Sequence, residues 1–361
     1  MNKITHLEGL RGLCCFIVIF DHCVTAFYGG LRFTGDSGFI GNLKQFLAWS
    51  PLNLIYSGIP SVYIFFILSG FVLSNKYNIH KNTSILVSSS LKRYPRLIAP
   101  IFFSMLIMFF IYEISDTFFN THYPMTFLDV FYQSFVYVPF GGGKLENGAL
   151  WTITYELYGS FLVFGLLAVF GNYKYKYFVY LLVFIMTFKT YYCIFIFGMT
   201  INSLMHDDIQ FKFKDKKIAI LTIIFSLFLI SFPYPREGVD VGGVYNYLWV
   251  LSDHHENYQF VVKIGSILLF LGLFSIPGVN SFFDTAPLQF MGKISFSVYI
   301  LHVPFLVLVL NFKHFFDISL IRLIILSSFV YLLTIITAIF FEKFIDEKSV
   351  KYTNILAKRI S

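Results

Sequence analysis

The chain of 361 residues is 57% hydrophobic and only 13% charged, with a mean hydropathy of +0.71 and a formal net charge of +7. These values exclude a water-soluble globular domain and a disordered chain, both of which need more polar residues. They leave a polytopic α-helical membrane protein, whose basic excess collects on the cytoplasmic side and needs no nucleic-acid partner.

Ten apolar spans are predicted, at about 7–28, 52–74, 97–115, 149–171, 177–189, 191–205, 217–233, 260–278, 288–311 and 318–342. The expected fold is therefore an all-α transmembrane bundle of about ten helices. The fifth and sixth spans are short and nearly contiguous, which fits a tight or re-entrant pair. Thr5 and Glu8 match a capping box at the start of the first helix. The polar pair Asp21-His22 interrupts what would otherwise pass for a signal peptide, so the segment is expected to be retained. With the N-terminus inside, most of the 27 basic residues fall in cytoplasmic segments, among them Lys76, Lys81, Lys212, Lys214, Lys348 and Lys351. Both termini are then cytoplasmic. The outer loops 29–51, 116–148 and 234–259 are rich in Gly, Pro and aromatics and suit covering or lining a site. The cysteines Cys14, Cys15, Cys23 and Cys193 all lie in apolar runs and read as small core residues.

The first span carries Arg11, Asp21 and His22. Ionisable residues at membrane depth are costly and point to function. Eleven residues separate Arg11 from His22, so the two lie within about 20° of one helix face and roughly 16 Å apart along the axis. A cation at the inner rim and an imidazole near the midplane suit a ligand that enters lengthwise with its anionic end held outside. Asp21 lies about 100° round the helix from His22 and is expected to face another helix.

Further along, 92–100 reads as a cytoplasmic loop, KRYPRLIAP, that adds Lys92, Arg93 and Arg96 beside Arg11. The four cations either form a polyanion site or simply obey the positive-inside rule. Ser69 and Gly70 in FFILSGF permit close helix packing, or line the path of a ligand chain. Glu156, inside the apolar run after Trp151, either orients an imidazole, accepts a hydroxyl proton, or pairs structurally with a Tyr or Lys. Ser295, Tyr299 and His302 form one helical stripe that either lines a site or bonds between helices. His254-His255-Glu256 lacks a third spaced ligand and reads as a solvated loop, so no metal site is expected.

Taken together, LEGLRG…DH at 7–22, FFILSGF at 65–71, KRYPR at 92–96, LWTITYE at 150–156 and ISFSVYILHVP at 294–304 resemble the acyltransferase-3 family of integral membrane acyltransferases. The resemblance implies a transmembrane domain over 1–345 followed by a short basic cytoplasmic tail, 346–361. It implies transfer of an acyl group, usually acetyl, from cytoplasmic acetyl-coenzyme A as donor substrate, with no permanently bound cofactor. The acceptor would be a sugar hydroxyl of an envelope glycan, O-antigen or capsule, or a lipid-linked glycan, at the bacterial cytoplasmic membrane. Carried over, His22 and Arg11 are the catalytic pair, with Glu156 a further catalytic candidate. Arg11, Arg96, Arg93, Lys92 and Ser69 are donor-site candidates, and Trp151, Tyr299 and His302 are acceptor-side candidates. Some relatives carry an extracytoplasmic esterase-like domain; none is expected here, so the membrane domain would complete the transfer alone or with a partner. The rivals are a transporter of a lipid-linked glycan or organic anion, and an acyltransferase acting on a lipid or small molecule.

Overall fold

A computed structural model describes residues 5–210, 212–236 and 238–360, all in helices, turns and connecting segments. In chain order the helices are α1 (Thr5–Tyr28), α2 (Gly38–Ala48), α3 (Gly58–His80), α4 (Ser84–Phe119), α5 (Phe127–Tyr132), α6 (Val138–Phe140), α7 (Trp151–Phe170), α8 (Lys176–Met186) and α9 (Tyr192–His206). They continue as α10 (Lys216–Ile230), α11 (His254–Ser275), α12 (Pro277–Phe283), α13 (Ala286–Leu310), α14 (Ser319–Phe341) and α15 (Glu347–Ile360). Among the described residues, seven segments are long and apolar enough to cross a membrane, built on α1, α3, α4, α7, α11, α13 and α14. The chain is thus an all-α, multi-pass membrane protein. The three remaining apolar spans are the shorter helices α8, α9 and α10.

Two expected loops are helix instead. Residues 92–100 lie inside the 36-residue α4, with Pro95 and Pro100 internal to it. A proline deprives the carbonyl four residues earlier of its helical donor. Here the Arg96 carbonyl, freed by Pro100, accepts from Ser349 Oγ at 3.4 Å. The same device recurs in α13. Pro304 frees the Ile300 carbonyl, and Ser104 Oγ at 2.6 Å and Asn147 Nδ2 at 2.9 Å both donate to it. The second corrected loop is His254-His255-Glu256. It forms the first turn of α11, because Asp253 caps that helix by accepting from the Glu256 N–H.

The described chain falls into two compact bodies. The first comprises residues 1–65, 211–293 and 317–324, and in it α1 packs against α12 and the start of α13. Gly12 makes this possible, since a Cβ there would meet the Gly292 backbone nitrogen at 2.6 Å. The second body comprises 66–210, 294–316 and 325–361, with α7 and α9 in contact and α15 laid on α4. Gly70 and Gly198 let α3 and α9 approach until each faces a carbonyl of the other, Phe195 and Ile67. Buried amides then bond across the same pair: Asn78 Nδ2 donates to Asn202 Oδ1 at 2.8 Å, and Asn202 Nδ2 to Asn75 Oδ1 at 3.1 Å. Gly70 is therefore a packing residue. All four cysteines are buried and unbridged.

Exchange of Gly198 for Ala would put a methyl group on the rigid Ile67 carbonyl. It should cost about 1–3 kcal/mol, visible as a lower thermal unfolding midpoint in detergent. Gly165→Ala, with nothing within 4 Å of the new atom, should be neutral or mildly stabilising.

Candidate active site

In the first body the helix α1 is unbroken from Thr5 to Tyr28, so Arg11 and His22 do share one face. Glu8 forms an ion pair with Arg11 at 3.4 Å. The Arg11 side chain keeps 30% of its surface exposed. His22 is half-buried, and the charges that act on it are Asp21, Arg236 and Arg32.

Asp21 faces away from His22, as its phase requires, and is taken up by the segment after α1. Arg32 Nη2 donates to Asp21 Oδ1 at 2.6 Å, to the Asp21 carbonyl at 3.0 Å and to the Tyr56 carbonyl at 3.0 Å. Its Nη1 donates to Thr25 Oγ1 at 2.8 Å, and Thr25 Oγ1 donates in turn to the Asp21 carbonyl. Arg236 adds a bond to Thr25 Oγ1 at 3.1 Å and approaches Asp21 at 3.7 Å. Arg322 Nε caps the last turn by donating to the Phe27 carbonyl, which has no partner inside the helix. The end of α1 that carries His22 is thus fixed by three arginines. Sequence reasoning had named none of them. Arg32 and Arg236 lie outside the expected apolar spans, and no periodicity links residue 21 to residue 236.

In the second body the structure gathers three of the expected site residues. Arg93 forms an ion pair with Glu156, and Ser69 Oγ donates to the same Glu156 oxygen at 2.5 Å. Arg93 Nε donates to Ser160 Oγ at 2.7 Å. The structural partner of Glu156 is therefore an arginine, not a Tyr or Lys. Arg93 is buried, so it is no part of a solvated cationic rim. Lys92 and Arg96 stay accessible on α4. Lys92 faces two like charges, Lys76 and Arg96. Asp346 is the carboxylate on which Arg96 acts.

Tyr299 and His302 both lie in the interior of that body. The Tyr299 hydroxyl meets Thr152 Oγ1 at 3.0 Å and the Ala149 carbonyl at 2.9 Å. His302 Nδ1 is 2.6 Å from the Tyr299 carbonyl. These bonds make the stripe Ser295, Tyr299, His302 an interhelical and intrahelical fastener of α13. Trp151 is only half-buried and packs edge-on against Tyr155 and tilted on Tyr191, forming an aromatic wall.

These features define a multi-pass helical protein with an imidazole and a guanidinium along one membrane helix. Comparison with known sequences places it further. The profile of the acyltransferase-3 family, described as an acyltransferase domain, matches residues 4–342, and the chain belongs to that family. Among curated proteins, it is 33% identical over 107 residues to "O-acetyltransferase PaAT-1" of Phomopsis amygdali. That match covers 28% of this chain and 21% of the relative, so the two are aligned over about a fifth of the relative's length. No solved structure matches the chain.

The Arg93–Glu156 pair gives a sharp test of structure against chemistry. Glu156→Ala leaves a buried guanidinium without its carboxylate and should cost about 3–5 kcal/mol. The double exchange Arg93→Met, Glu156→Leu removes both charges and should recover most of that loss. Thermal unfolding of the purified variants in detergent measures both.

Proposed function

We propose that the protein is a membrane O-acyltransferase that moves an acetyl group from acetyl-coenzyme A to a hydroxyl of an envelope polysaccharide sugar. O-antigen or capsule is the expected acceptor, and the bacterial cytoplasmic membrane the expected location. The observation that carries this reading is the unbroken α1, which sets Arg11 and His22 on one face of a membrane helix in a chain that belongs to an acyltransferase family. The aligned relative's description as an O-acetyltransferase supports acetyl as the group transferred.

His22 is the proposed general base. It takes the proton from the acceptor hydroxyl as the oxygen attacks the thioester carbonyl; the ester C–O bond forms and the C–S bond breaks. The thiolate leaves and recovers the proton from the imidazolium. Asp21 and its arginine clamp fix the end of the helix that carries the ring. In the alternative route a ring nitrogen of His22 attacks the thioester, the C–N bond forming as the C–S bond breaks and the thiolate leaves; the acceptor oxygen then takes the acetyl group as the C–N bond breaks and its proton returns to the imidazole.

Coenzyme A brings phosphates, and the chemistry of the accessible cations fits them. Arg11 offers a planar guanidinium that is only partly satisfied by Glu8. In the second body, the like charges Lys76, Lys92 and Arg96 crowd together in a way that a bound polyanion would relieve. Arg93 and Ser69 hold Glu156 and are positioning residues on this reading. Trp151 offers a stacking face for a sugar.

His22→Ala should lower acetyl transfer by about two to four orders of magnitude with expression intact. Membranes given labelled acetyl-coenzyme A and envelope polysaccharide measure it, and near-normal labelling would end the reading. Arg11→Lys keeps the charge but loses the bidentate fork. It should raise the KM for acetyl-coenzyme A more than it lowers kcat.

A further inference from the structure

The first body contains a cavity of about 40 Å³ at the end of α1, lined by Asp21, Arg32, Tyr56, Gly58, Tyr234 and Arg236 among others. That is room for about two or three waters, or for one compact oxyanion. It lies on the Asp21 side of the helix, about 100° from His22.

The charges around it do not cancel. Asp21 Oδ1 accepts from Arg32 Nη2 at 2.6 Å. Arg236 stands 3.7 Å from the same oxygen, makes one bond to Thr25, and rests over the Tyr234 ring at 4.9 Å. Among the described lining residues, one carboxylate therefore meets two guanidiniums. A guanidinium has five N–H donors, and Arg236 uses few of them on the protein.

We propose that this cavity holds a carboxylate or phosphate oxygen of the acceptor, so that the enzyme prefers acidic over neutral glycans. The proposal rests on the acyltransferase reading above. Held there by Arg236, the anionic group anchors the sugar a quarter-turn of helix from His22. The carboxylate of a uronic acid and the phosphate of a phosphoglycan or lipid-linked glycan share this chemistry.

Binding is read by thermal shift and calorimetry on the full-length protein in nanodiscs, with methyl glucuronoside, methyl phosphate and neutral methyl glucoside as probes. The wild type should bind at least one acidic probe about tenfold or more tightly than the glucoside. The tighter of the two acidic probes identifies the source of the anion. Arg236→Gln, at a partly exposed site, should erase that preference. Equal binding of acidic and neutral probes by the wild type, or an unchanged preference in Arg236→Gln, overturns the proposal. Acetyl-transfer assays separate it from the reading beneath it. Transfer to acidic and neutral acceptors alike, with KM values unmoved by Arg236→Gln, sinks the anion site alone. Transfer to neither sinks the acyltransferase reading, whatever the binding experiment returns.

Discussion

A carbonyl or a charge placed in hydrocarbon has no water to turn to, and the polar features of this chain are arranged around that constraint. Asp21, deep in an apolar helix, is matched by Arg32, which at the same time satisfies two backbone carbonyls. Glu156 is matched by Arg93 and a serine. Pro100 in α4 and Pro304 in α13 are tolerated because side chains of neighbouring segments supply the donors they remove. Each of these devices binds one helix to another through a group that would otherwise be costly, so polar satisfaction and tertiary packing are one event here.

That coupling explains what could be read from the amino-acid order and what could not. Seven of the ten apolar spans fall on helices long enough to cross lipid, where a run of apolar residues leaves the backbone no alternative to the helix, and the other three fall on the shorter α8, α9 and α10. The phase of Arg11, Asp21 and His22 was legible for the same reason: it is internal to one element. The segment 92–100 was misjudged because proline is read as a helix breaker from local sequence, and the rescue comes from Ser349, more than two hundred residues away. Arg32 and Arg236 were invisible as site residues for a kindred reason. Their loops look unremarkable until the fold brings residue 236 to Thr25 and Asp21.

The candidate residues divide by the partners the structure gives them. Arg93, Ser69, Tyr299 and His302 are engaged by protein groups within the second body, and their chemistry is used for holding helices in place. Arg11, Lys92 and Arg96 keep accessible surface, although Glu8 pairs with Arg11 and Asp346 answers Arg96. A motif residue of a membrane enzyme can thus serve the scaffold as readily as the chemistry. The distinction is drawn by hydrogen-bond accounting, since both kinds look alike in sequence: an ionisable residue inside an apolar run.

Asp21 and His22 are neighbours on one helix that face different sides of it. The Asp21 carboxylate is held by Arg32 at 2.6 Å, and it acts on the imidazole together with Arg236 and Arg32. A ring flanked by a locked carboxylate and two guanidiniums is held in a set electrostatic environment whether or not a ligand is present. On the proposed reading, that preorganisation is what a general base needs, because the charge appearing on the imidazole during proton transfer meets dipoles and ions that do not have to move. The rigidity that lipid imposes on buried charges then becomes the means by which one histidine in an apolar helix keeps a defined geometry for chemistry.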